Sequence, residues 1–262
     1  MRKFIKTYQF LKNVIKSLFI PIPNWHKFPR HKMFTILFEG SELIVPDNAS
    51  FLSQEKEIFK DEIYNFHCNN MSPFIIDAGA NIGVSIIYFK KKYPNSKIIA
   101  FEPDKFIFNV LKKNIYNFSF CDITLINKGL WDKDGIFDFR SEGSDSGRVI
   151  NSNSDDINKS VELTSLKNYI DRKIDFLKID IEGAETKVLI DIQKQLHFVE
   201  KIFIEYHSFK DQKQTLNEVI NILTKAGFRL YISSPSLLSL SPFMKLNSYN
   251  DMDMQLNISG WK

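Results

Sequence analysis

The sequence is poor in the residues that build cross-linked or fibrous proteins. Its 262 residues include only 2 cysteines, Cys68 and Cys121, together with 10 glycines and 9 prolines. Two cysteines form neither a disulfide framework nor a metal-binding spacing, and free thiols suit a reducing compartment. Hydrophobic residues make up 44% of the chain and charged residues 25%, which is typical of a globular protein and excludes a disordered or fibrous one.

The sequence also lacks a strong net charge and a long apolar run. Its 35 basic and 31 acidic residues leave a formal charge of +4, and the basic residues are spread along the chain. Nucleic-acid-binding proteins usually concentrate basic residues on one face, so we expect no nucleic-acid partner. No apolar run approaches the ~18 residues that a membrane-spanning helix needs.

The first 20 residues carry a basic amphipathic pattern. Five apolar side chains recur at helical spacing: Phe4, Tyr8, Leu11, Ile15 and Leu18. Lysine residues interrupt them, so the segment lacks the continuous apolar core of a signal peptide. The pattern predicts a helix that packs on the edge of the domain or lies on an anionic membrane surface. We therefore predict a cytoplasmic protein, with residues 1–20 as the place of any peripheral contact with the inner membrane.

Two elements are predicted between this helix and the main part of the chain. Apolar runs on either side of a Glu-Gly pair predict a β-hairpin over residues 33–45. A helix should follow, capped by Asn48 or Ser50 and running to about Phe66.

From residue 71 onward, apolar strand patterns alternate with helical ones. The predicted strands are 74–77, 97–102, 122–126, 174–179 and 199–206. The predicted helices are 83–93, 104–117, 184–195 and 211–226. This alternation is typical of an α/β fold with a doubly wound, mostly parallel sheet. We therefore divide the chain into an extension (residues 1–70: helix, hairpin and second helix) and a main domain (residues 71–262).

Two stretches interrupt the alternation. Short strands at 137–140 and 161–164 flank a polar segment, residues 141–160, which is rich in Ser, Asp, Asn and Gly. A loop of this length is typical of a lid or of a segment without fixed structure. The apolar patterns of residues 228–232 and 254–258 predict the two strands of a closing hairpin, with a Ser/Pro-rich loop between them.

The first strand of the main domain leads into a glycine turn. The sequence DAGANIG places Asp77, Gly79, Asn81 and Gly83 between a strand and a helix. Glycines let the backbone approach a ligand closely, and the N–H groups at a helix start are unpaired. The spacing is not the G-x-G-x-x-G of the dinucleotide fingerprint. Glu102 ends the next strand, where a carboxylate can bind both ribose hydroxyls, so the two features predict a nucleoside-containing cofactor.

Three motifs together resemble those of FkbM-type methyltransferases: the DAGANIG turn, the FEP after the second strand, and KIDIEGAE followed by IFIEYH. The resemblance runs from about Pro73 to His207 and leaves the two ends of the chain unplaced. It implies the Rossmann-like fold of class I methyltransferases, with a seven-stranded sheet whose last strand is antiparallel. It also implies an acceptor from glycan or natural-product tailoring, with which FkbM-type enzymes are associated.

The same resemblance implies S-adenosylmethionine as the cofactor. The residues implied at its methionine end are those of the glycine turn: Asp77, Gly79, Asn81 and Gly83. By the same match Glu102 would bind the ribose, and Pro103 and Asp104 would flank the adenine.

Acidic residues and a histidine follow two later strands. Asp180 comes directly after strand 174–179, and Glu205 and His207 lie at the end of strand 199–206. Because the carboxyl ends of parallel strands meet at one edge of a sheet, we expect these residues beside the glycine turn. Residues two apart on a strand share a face, so Glu205 and His207 can point into one site. The resemblance implies that the two strands are neighbours.

These side chains suit the removal of a proton from an acceptor hydroxyl. His207 is the predicted base because imidazole titrates near neutral pH, and Asp180 or Glu205 would orient it or bind substrate hydroxyls. Glu182 completes the predicted catalytic set, although Glu182 or Glu185 could instead stabilise the start of the next helix. Asp180 and Glu205, with His207, also form a ligand set for Mg²⁺ or Mn²⁺, which is a second way to activate a hydroxyl.

The predicted function is S-adenosylmethionine-dependent O-methylation of a sugar, a nucleotide sugar, or a glycan or natural-product precursor. Arg140 and Arg148, near the polar segment, could contact the diphosphate of a nucleotide sugar. Two other classes share some of these features. An NAD-dependent oxidoreductase would also have a doubly wound α/β sheet and an acid that binds the ribose. A membrane-surface adaptor on a methyltransferase-like scaffold would use residues 1–20. The sequence predicts no oligomeric state.

Overall fold

A computed structural model of the chain describes residues 28–141, 147–149, 159–235, 239, 241–248 and 251–262. Within these residues, no helix is both long enough and apolar enough to cross a membrane. The helix predicted over residues 1–20 lies outside the described residues, as do the side chains of Arg140 and Arg148.

The described elements are numbered in chain order. The strands are β1 (Phe34–Phe38), β2 (Ser41–Val45), β3 (Phe74–Ala78), β4 (Lys97–Phe101), β5 (Ile123–Ile126), β6 (Gly129–Trp131), β7 (Gly135–Ser141), β8 (Gly147–Val149), β9 (Lys159–Ser165), β10 (Phe176–Ile179), β11 (Lys201–Phe209), β12 (Arg229–Ser233) and β13 (Met252–Trp261). The α-helices are α1 (Asn48–Gln54), α2 (Val84–Lys92), α3 (Lys105–Asn117), α4 (Glu185–Ile192) and α5 (Leu216–Lys225). A π-helical segment, Glu55–Lys60, continues α1.

Seven of these strands form one sheet, in the order β12-β13-β11-β10-β3-β4-β5. Strands β11, β10, β3, β4 and β5 are parallel to one another, whereas β13 is antiparallel to both of its neighbours. The doubly wound, mostly parallel sheet is therefore confirmed, and so is its antiparallel last strand. The closing hairpin of β12 and β13 is confirmed as well.

Apolar side chains cover both faces of this sheet. Helices α2 and α3 pack on one face together with Ile75, and helices α4 and α5 pack on the other together with Ile76. Successive residues of a strand point to opposite faces, which explains why two adjacent isoleucines of β3 belong to different clusters. The strands can therefore be apolar throughout, and polar residues are left for the ends of the strands.

The predicted hairpin is confirmed, with Phe34 opposite Val45. Its buried side chains join the cluster that contains α2 and α3. Asn114 of α3 fixes the hairpin in place: its side chain accepts the N–H of Ile44 at 2.8 Å and donates to the carbonyl of Ile44 at 3.1 Å. The extension thus shares its core with one face of the main sheet.

The helix predicted to run to about Phe66 is shorter. Its cap is Asp47, whose side chain accepts the N–H of Ala49, and not Asn48 or Ser50. Aspartate is as good a cap as asparagine or serine, so local propensity does not decide among three candidates within four residues.

The end of this helix widens before it stops. The N–H of Asp61 bonds to the carbonyl of Lys56, five residues earlier, which is the spacing of a π-helix. Glu62 has a φ of 51°, so the chain leaves the helical path there. Tyr64 and Phe66 lie beyond this break and are buried in the core.

A second, four-stranded sheet has the order β6-β9-β7-β8. It confirms the short strands predicted at 137–140 and 161–164. The interpretation of residues 141–160 as one loop is wrong in part, because β8 pairs with β7 inside that stretch. Strand β6 was not predicted, since three residues are too few to show a period and its pairing depends on the distant β9.

Candidate active site

The predicted site residues lie along the carboxyl edge of the main sheet. The strand register aligns four residues from one side of the sheet to the other: Phe101, Ala78, Ile179 and Ile204. The residues that follow them form the next row: Glu102, Gly79, Asp180 and Glu205. The predicted cofactor residues and the predicted acid–base residues therefore share one edge.

The glycine turn after β3 packs tightly against the ends of β4 and β10. The N–H groups of Gly79 and Ala80 both donate to the carbonyl of Phe101, at 3.1 and 2.8 Å. Gly79 has a φ of +93°, and a Cβ at this position would lie 1.8 Å from the carbonyl oxygen of Asp180. Only glycine allows the two loops to approach this closely.

Glu102 fixes the turn from the neighbouring strand. Its Oε2 accepts the N–H of Asn81 at 3.1 Å, and its Oε1 accepts the N–H of Asp104 at 2.8 Å. Burial raises the pKa of Glu102 to about 8 in spite of these hydrogen bonds. The side-chain amide of Asn127, a residue that the sequence reasoning missed, donates to the carbonyls of Glu102 and Pro103 at 2.8 and 3.0 Å.

Asp104 caps the helix that follows this corner. Its Oδ1 accepts the N–H groups of Phe106 and Ile107, at 2.7 and 3.1 Å, at the start of α3. These are the contacts of an ordinary N-cap. The placement of Pro103 and Asp104 beside an adenine stays a prediction.

A buried lysine connects the glycine turn after β3 with Asp180, which follows β10. Lys178 of β10 donates to the carbonyl of Gly79 at 2.6 Å, and its Nζ lies 3.2 Å from carboxylate oxygens of both Asp77 and Asp180. Asp77 also accepts the hydroxyl proton of Ser85. Burial by itself lowers the pKa of Lys178, but the two carboxylates outweigh it and raise the pKa above its ordinary value. The lysine therefore stays charged and holds the two loops together.

His207 is buried among carboxylates. Its Nδ1 lies 3.0 Å from Oε1 of Glu185, an oxygen that also accepts the N–H of Gly183 at 3.0 Å. Its Nε2 lies 3.5 Å from Oε1 of Glu205 and 3.9 Å from Oε2 of Glu182. Burial lowers the pKa of the imidazole, but Glu182 and Glu185 outweigh it and raise the pKa well above its ordinary value. Burial also raises the pKa of Glu182.

Three of the predicted residues come together as possible cation ligands. Asp180, Glu205 and His207 each offer one ligand atom, and these atoms lie within 4.8 Å of one another. Two carboxylate oxygens and one imidazole nitrogen suit Mg²⁺ or Mn²⁺. Both acids already have partners, since Lys178 pairs with Asp180 and the side-chain amide of Gln255 donates to Glu205.

Comparison with known proteins identifies the group to which these features belong. The methyltransferase FkbM domain matches residues 77–230. The chain belongs to the FkbM methyltransferase family. It is 30% identical over 200 residues to methyltransferase sdnD of Sordaria araneosa, and this match covers 59% of the chain and 76% of sdnD. It is 25% identical over 206 residues to methyltransferase 1 of Beauveria bassiana, which covers 69% of this chain and 82% of that protein.

A solved structure shows the same fold. The crystal structure of methyltransferase FkbM from Methylobacillus flagellatus KT matches with a TM-score of 0.52 at 16% identity. The match covers 78% of this chain and 47% of that chain, so this chain spans about half the length of that protein. The Rossmann-like α/β methyltransferase fold expected from the sequence is therefore confirmed.

Membership of the FkbM family decides between two of the activities considered from the sequence. It favours methyl transfer over hydride transfer by an NAD-dependent oxidoreductase. The matched region begins at Asp77 and includes every predicted site residue, whereas the hairpin, α1 and the π-helical segment precede it. The roles of the individual site residues stay predictions.

Sequence reasoning missed two partners in this FkbM-family site. It expected Asp180 or Glu205 to orient His207, but Glu185 is the closer partner. It also overlooked Lys178, although a lysine within the apolar strand FLKI is a recognisable signal. A charged residue in a buried strand needs a partner, and Asp77 lies within β3 while Asp180 comes directly after β10.

Proposed function

We propose that this FkbM-family chain is an S-adenosylmethionine-dependent O-methyltransferase. Its acceptor would be a hydroxyl of a sugar, a nucleotide sugar, or a glycan or natural-product precursor. The observation that carries the proposal is the row formed by Glu102, Gly79, Asp180 and Glu205. Glu102, which we assign to the ribose, thus lies at the same edge of the sheet as Glu205, and Glu205 is next to the buried His207.

The residues of the row suit this cofactor. The two oxygens of Glu102 each accept one backbone N–H and keep lone pairs for ribose hydroxyls. When bound, S-adenosylmethionine supplies a methyl group on a positively charged sulfur, and an acceptor oxygen displaces the sulfur from that carbon. The carboxylates of Asp77 and Asp180 share the single positive charge of Lys178, so the three groups together keep a negative charge that favours a positive charge at this edge.

We assign removal of the acceptor proton to His207. Glu185 holds Nδ1, which leaves Nε2 facing Glu182 and Glu205. Because the pKa of His207 is raised, the imidazole carries a proton at neutral pH and must lose it before it can act as a base. The expected consequence is a turnover that increases as the pH rises through this raised pKa.

A divalent cation is the second candidate for activating the acceptor. The closeness of the ligand atoms of Asp180, Glu205 and His207 favours it. A cation bound to an acceptor hydroxyl lowers the pKa of that hydroxyl and removes the need for a strong base. The cation and a proton would compete for the Nε2 of His207, so the two mechanisms exclude each other at this atom.

The chemistry of the edge also supports the acceptor class. Carboxylates accept hydrogen bonds from hydroxyl groups and repel phosphates. Asp180 and Glu205 therefore favour a hydroxyl-rich molecule over a nucleic acid, in agreement with the formal charge of only +4.

The experiment is a transfer assay with methyl-labelled S-adenosylmethionine. The acceptor panel contains nucleotide sugars, methyl glycosides and secondary-metabolite alcohols, with bulk tRNA as a contrast. We expect alkali-stable label in one or more of the polyols, since a methyl ether survives base and a methyl ester does not. Label found only in tRNA, or lost in alkali, would contradict the proposal.

Two further measurements separate the mechanisms. His207→Ala should lower kcat by about 10²–10⁴-fold, the usual contribution of a general base, and leave the binding of S-adenosylhomocysteine unchanged. His197→Ala, which replaces an exposed histidine, is the matched control. Full activity after chelation with EDTA excludes the cation, whereas a loss that Mg²⁺ or Mn²⁺ restores supports it.

A further inference from the structure

Tyr64 belongs to the extension, ahead of the region that the FkbM domain matches, yet its ring packs against the main sheet. The centre of the ring lies 4.8 Å from that of Phe203 on β11 and 5.9 Å from that of Phe89 on α2. Only 3% of the residue is exposed. These contacts fix the position of the ring.

The hydroxyl of Tyr64 forms no hydrogen bond with any residue that the structure describes. Other tyrosines of the same cluster do have partners: Tyr93 donates to the carbonyl of Phe66 at 2.7 Å, and Tyr88 donates to Glu62 at 3.4 Å. An enclosed hydroxyl without a partner is unfavourable. Among the described residues, the Tyr64 hydroxyl is not one of the fully buried side-chain oxygen and nitrogen atoms that lack a hydrogen-bond partner. Since it has no partner, it is not fully buried, and it therefore reaches an open space.

The contacts of the ring indicate where this space lies. Phe203 precedes Glu205 by two residues, so both side chains are on the same face of β11. The Nζ of Lys178 lies 5.8 Å from the centre of the Tyr64 ring and 3.2 Å from the carboxylate of Asp180. Tyr64 is therefore beside the acid–base half of the edge. Burial raises the pKa of its phenol well above the ordinary value, and Asp180 and Glu205 raise it further.

A second group of the extension faces the same way. Glu57 lies in the π-helical segment and is half-buried, and its Oε1 accepts the hydroxyl proton of Ser53 at 3.1 Å. Burial raises the pKa of Glu57 to about 7, with Glu205 as the next contributor. Short π-helical segments are frequent at functional sites. Two groups of the extension, Tyr64 and Glu57, are thus near enough to Asp180 and Glu205 for their pKa values to respond to these carboxylates.

We propose that the hydroxyl of Tyr64 binds the acceptor and selects one with neighbouring hydroxyl groups; this inference rests on the proposed function. The carboxylates of Asp180 and Glu205 can only accept hydrogen bonds from such a molecule. An acceptor hydroxyl that donates to one of them still has an oxygen that needs a donor. The neutral phenol of Tyr64 is such a donor, and it stays protonated across the working pH range.

The test compares Tyr64→Phe with the wild-type protein, on the panel compound that the wild type methylates fastest. The substitution keeps the ring, whose neighbours are themselves phenylalanines, and removes only the hydroxyl. We expect kcat/KM for the acceptor to fall about three- to tenfold, the effect of one neutral hydrogen bond, mainly through KM. The binding of S-adenosylhomocysteine should not change. Tyr88→Phe removes a hydroxyl bonded to Glu62 and is the matched control, with no expected effect on KM.

A deoxy analogue of the acceptor sharpens the comparison. If Tyr64 binds one particular hydroxyl of the acceptor, Tyr64→Phe and the wild type should use the analogue without that hydroxyl equally well. Unchanged kcat/KM in Tyr64→Phe for every hydroxylated acceptor would overturn the inference.

A spectroscopic measurement keeps the inference separate from the proposed function. In protein labelled with 3-fluorotyrosine and saturated with S-adenosylhomocysteine, the Tyr64 resonance is assigned by its loss in Tyr64→Phe. A hydroxyl that faces an open site gives a ¹⁹F solvent-isotope shift between H₂O and D₂O, and a sealed one gives none. Absence of label in all polyols would defeat the proposed acceptor class, whereas absence of this shift would defeat the role of Tyr64.

Discussion

Glu102 combines two properties that make it sensitive to a bound nucleoside. Its carboxylate is buried with a pKa of about 8, and each of its oxygens accepts one backbone N–H and keeps a lone pair. In the protein alone, about nine in ten of these carboxyl groups are protonated at pH 7. Two ribose hydroxyls that donate to the ionised form would lower the pKa, so ligand binding should release a proton.

Calorimetry in two buffers of different ionisation enthalpy measures this release. We expect S-adenosylhomocysteine to release close to one proton at pH 7, and its affinity to rise as the pH increases towards 9. Glu102→Gln should abolish the release from this site and weaken binding by about tenfold or more, the value of hydrogen bonds to a charged group. The variant also corrects for titration of the ligand itself. An equal release in both proteins would show that Glu102 does not bind the ribose.

At the scale of single residues, the sequence predicts positions better than partners. Glu102, Asp180 and His207 could be placed at one edge because each follows or ends a parallel strand. The pairing of His207 with Glu185 could not be predicted, and the lysine in FLKI signals a need for an acid partner without identifying Asp77 and Asp180. These contacts depend on the register of strands that are far apart in the chain and on how helix α4 packs beside them, and a single sequence does not contain that arrangement.

Among the elements, the turn after β3 has the tightest steric constraint. Gly79 and Gly40 have almost the same φ, +93° and +94°, but a Cβ on Gly79 would overlap the carbonyl of Asp180, whereas a Cβ on Gly40 would meet nothing within 4 Å. The same substitution at these two glycines therefore distinguishes the cost of backbone strain from the cost of steric overlap.

We expect Gly40→Ala to lower the free energy of unfolding by about 1–3 kcal/mol, the value of backbone strain. Gly79→Ala should lower it by more than about 4 kcal/mol, because the loops after β3 and β10 must also separate. Urea unfolding monitored by circular dichroism checks both values. Equal losses in the two variants would mean that the turn yields easily and that the close approach is not needed.

Element types could be predicted more reliably than element ends. The strands and helices of the main sheet follow from hydrophobic periodicity, which is strong in buried segments. The π-helical segment and the break at Glu62 could not be predicted, because the rings of Tyr64 and Phe66 set the path of the chain there by packing on distant residues. The proposed role of Tyr64 could not be predicted for the same reason.

At the scale of the whole molecule, the extension and one face of the main sheet share a single hydrophobic core. Phe38, Phe51 and Phe66 of the extension are buried in the same cluster as Ile86 and Phe89 of α2. The division at residue 70 followed from the strand–helix alternation that begins at residue 71, and it stays a prediction. Buried residues on both sides of it pack in this one cluster.

A fragment of residues 71–262 tests this division. We expect it to lose cooperative urea unfolding and to bind a dye specific for exposed apolar surface, because removal of the extension uncovers one face of the sheet. A fragment of residues 28–262 keeps the contacts described above and is the control. Cooperative unfolding of the shorter fragment would instead establish residues 71–262 as an independent domain.

The order of the main sheet could be expected only through the family resemblance. Alternation of strands and helices predicts parallel strands but not which strands are neighbours. The four-stranded sheet was only partly predicted, because its strands are short and pair with partners far along the chain. Local patterns contain little of that information.

Strand β13 comes after every other strand of the main sheet in chain order, yet it lies between β11 and β12. Gln255 on β13 donates to Glu205, which precedes it by 50 positions. During synthesis on the ribosome, the edge of β11 that carries Glu205 and His207 stays unpaired until β13 has emerged. Methyl transfer competence should therefore arise late in biosynthesis, after the strands around Glu102 and Gly79 have already paired.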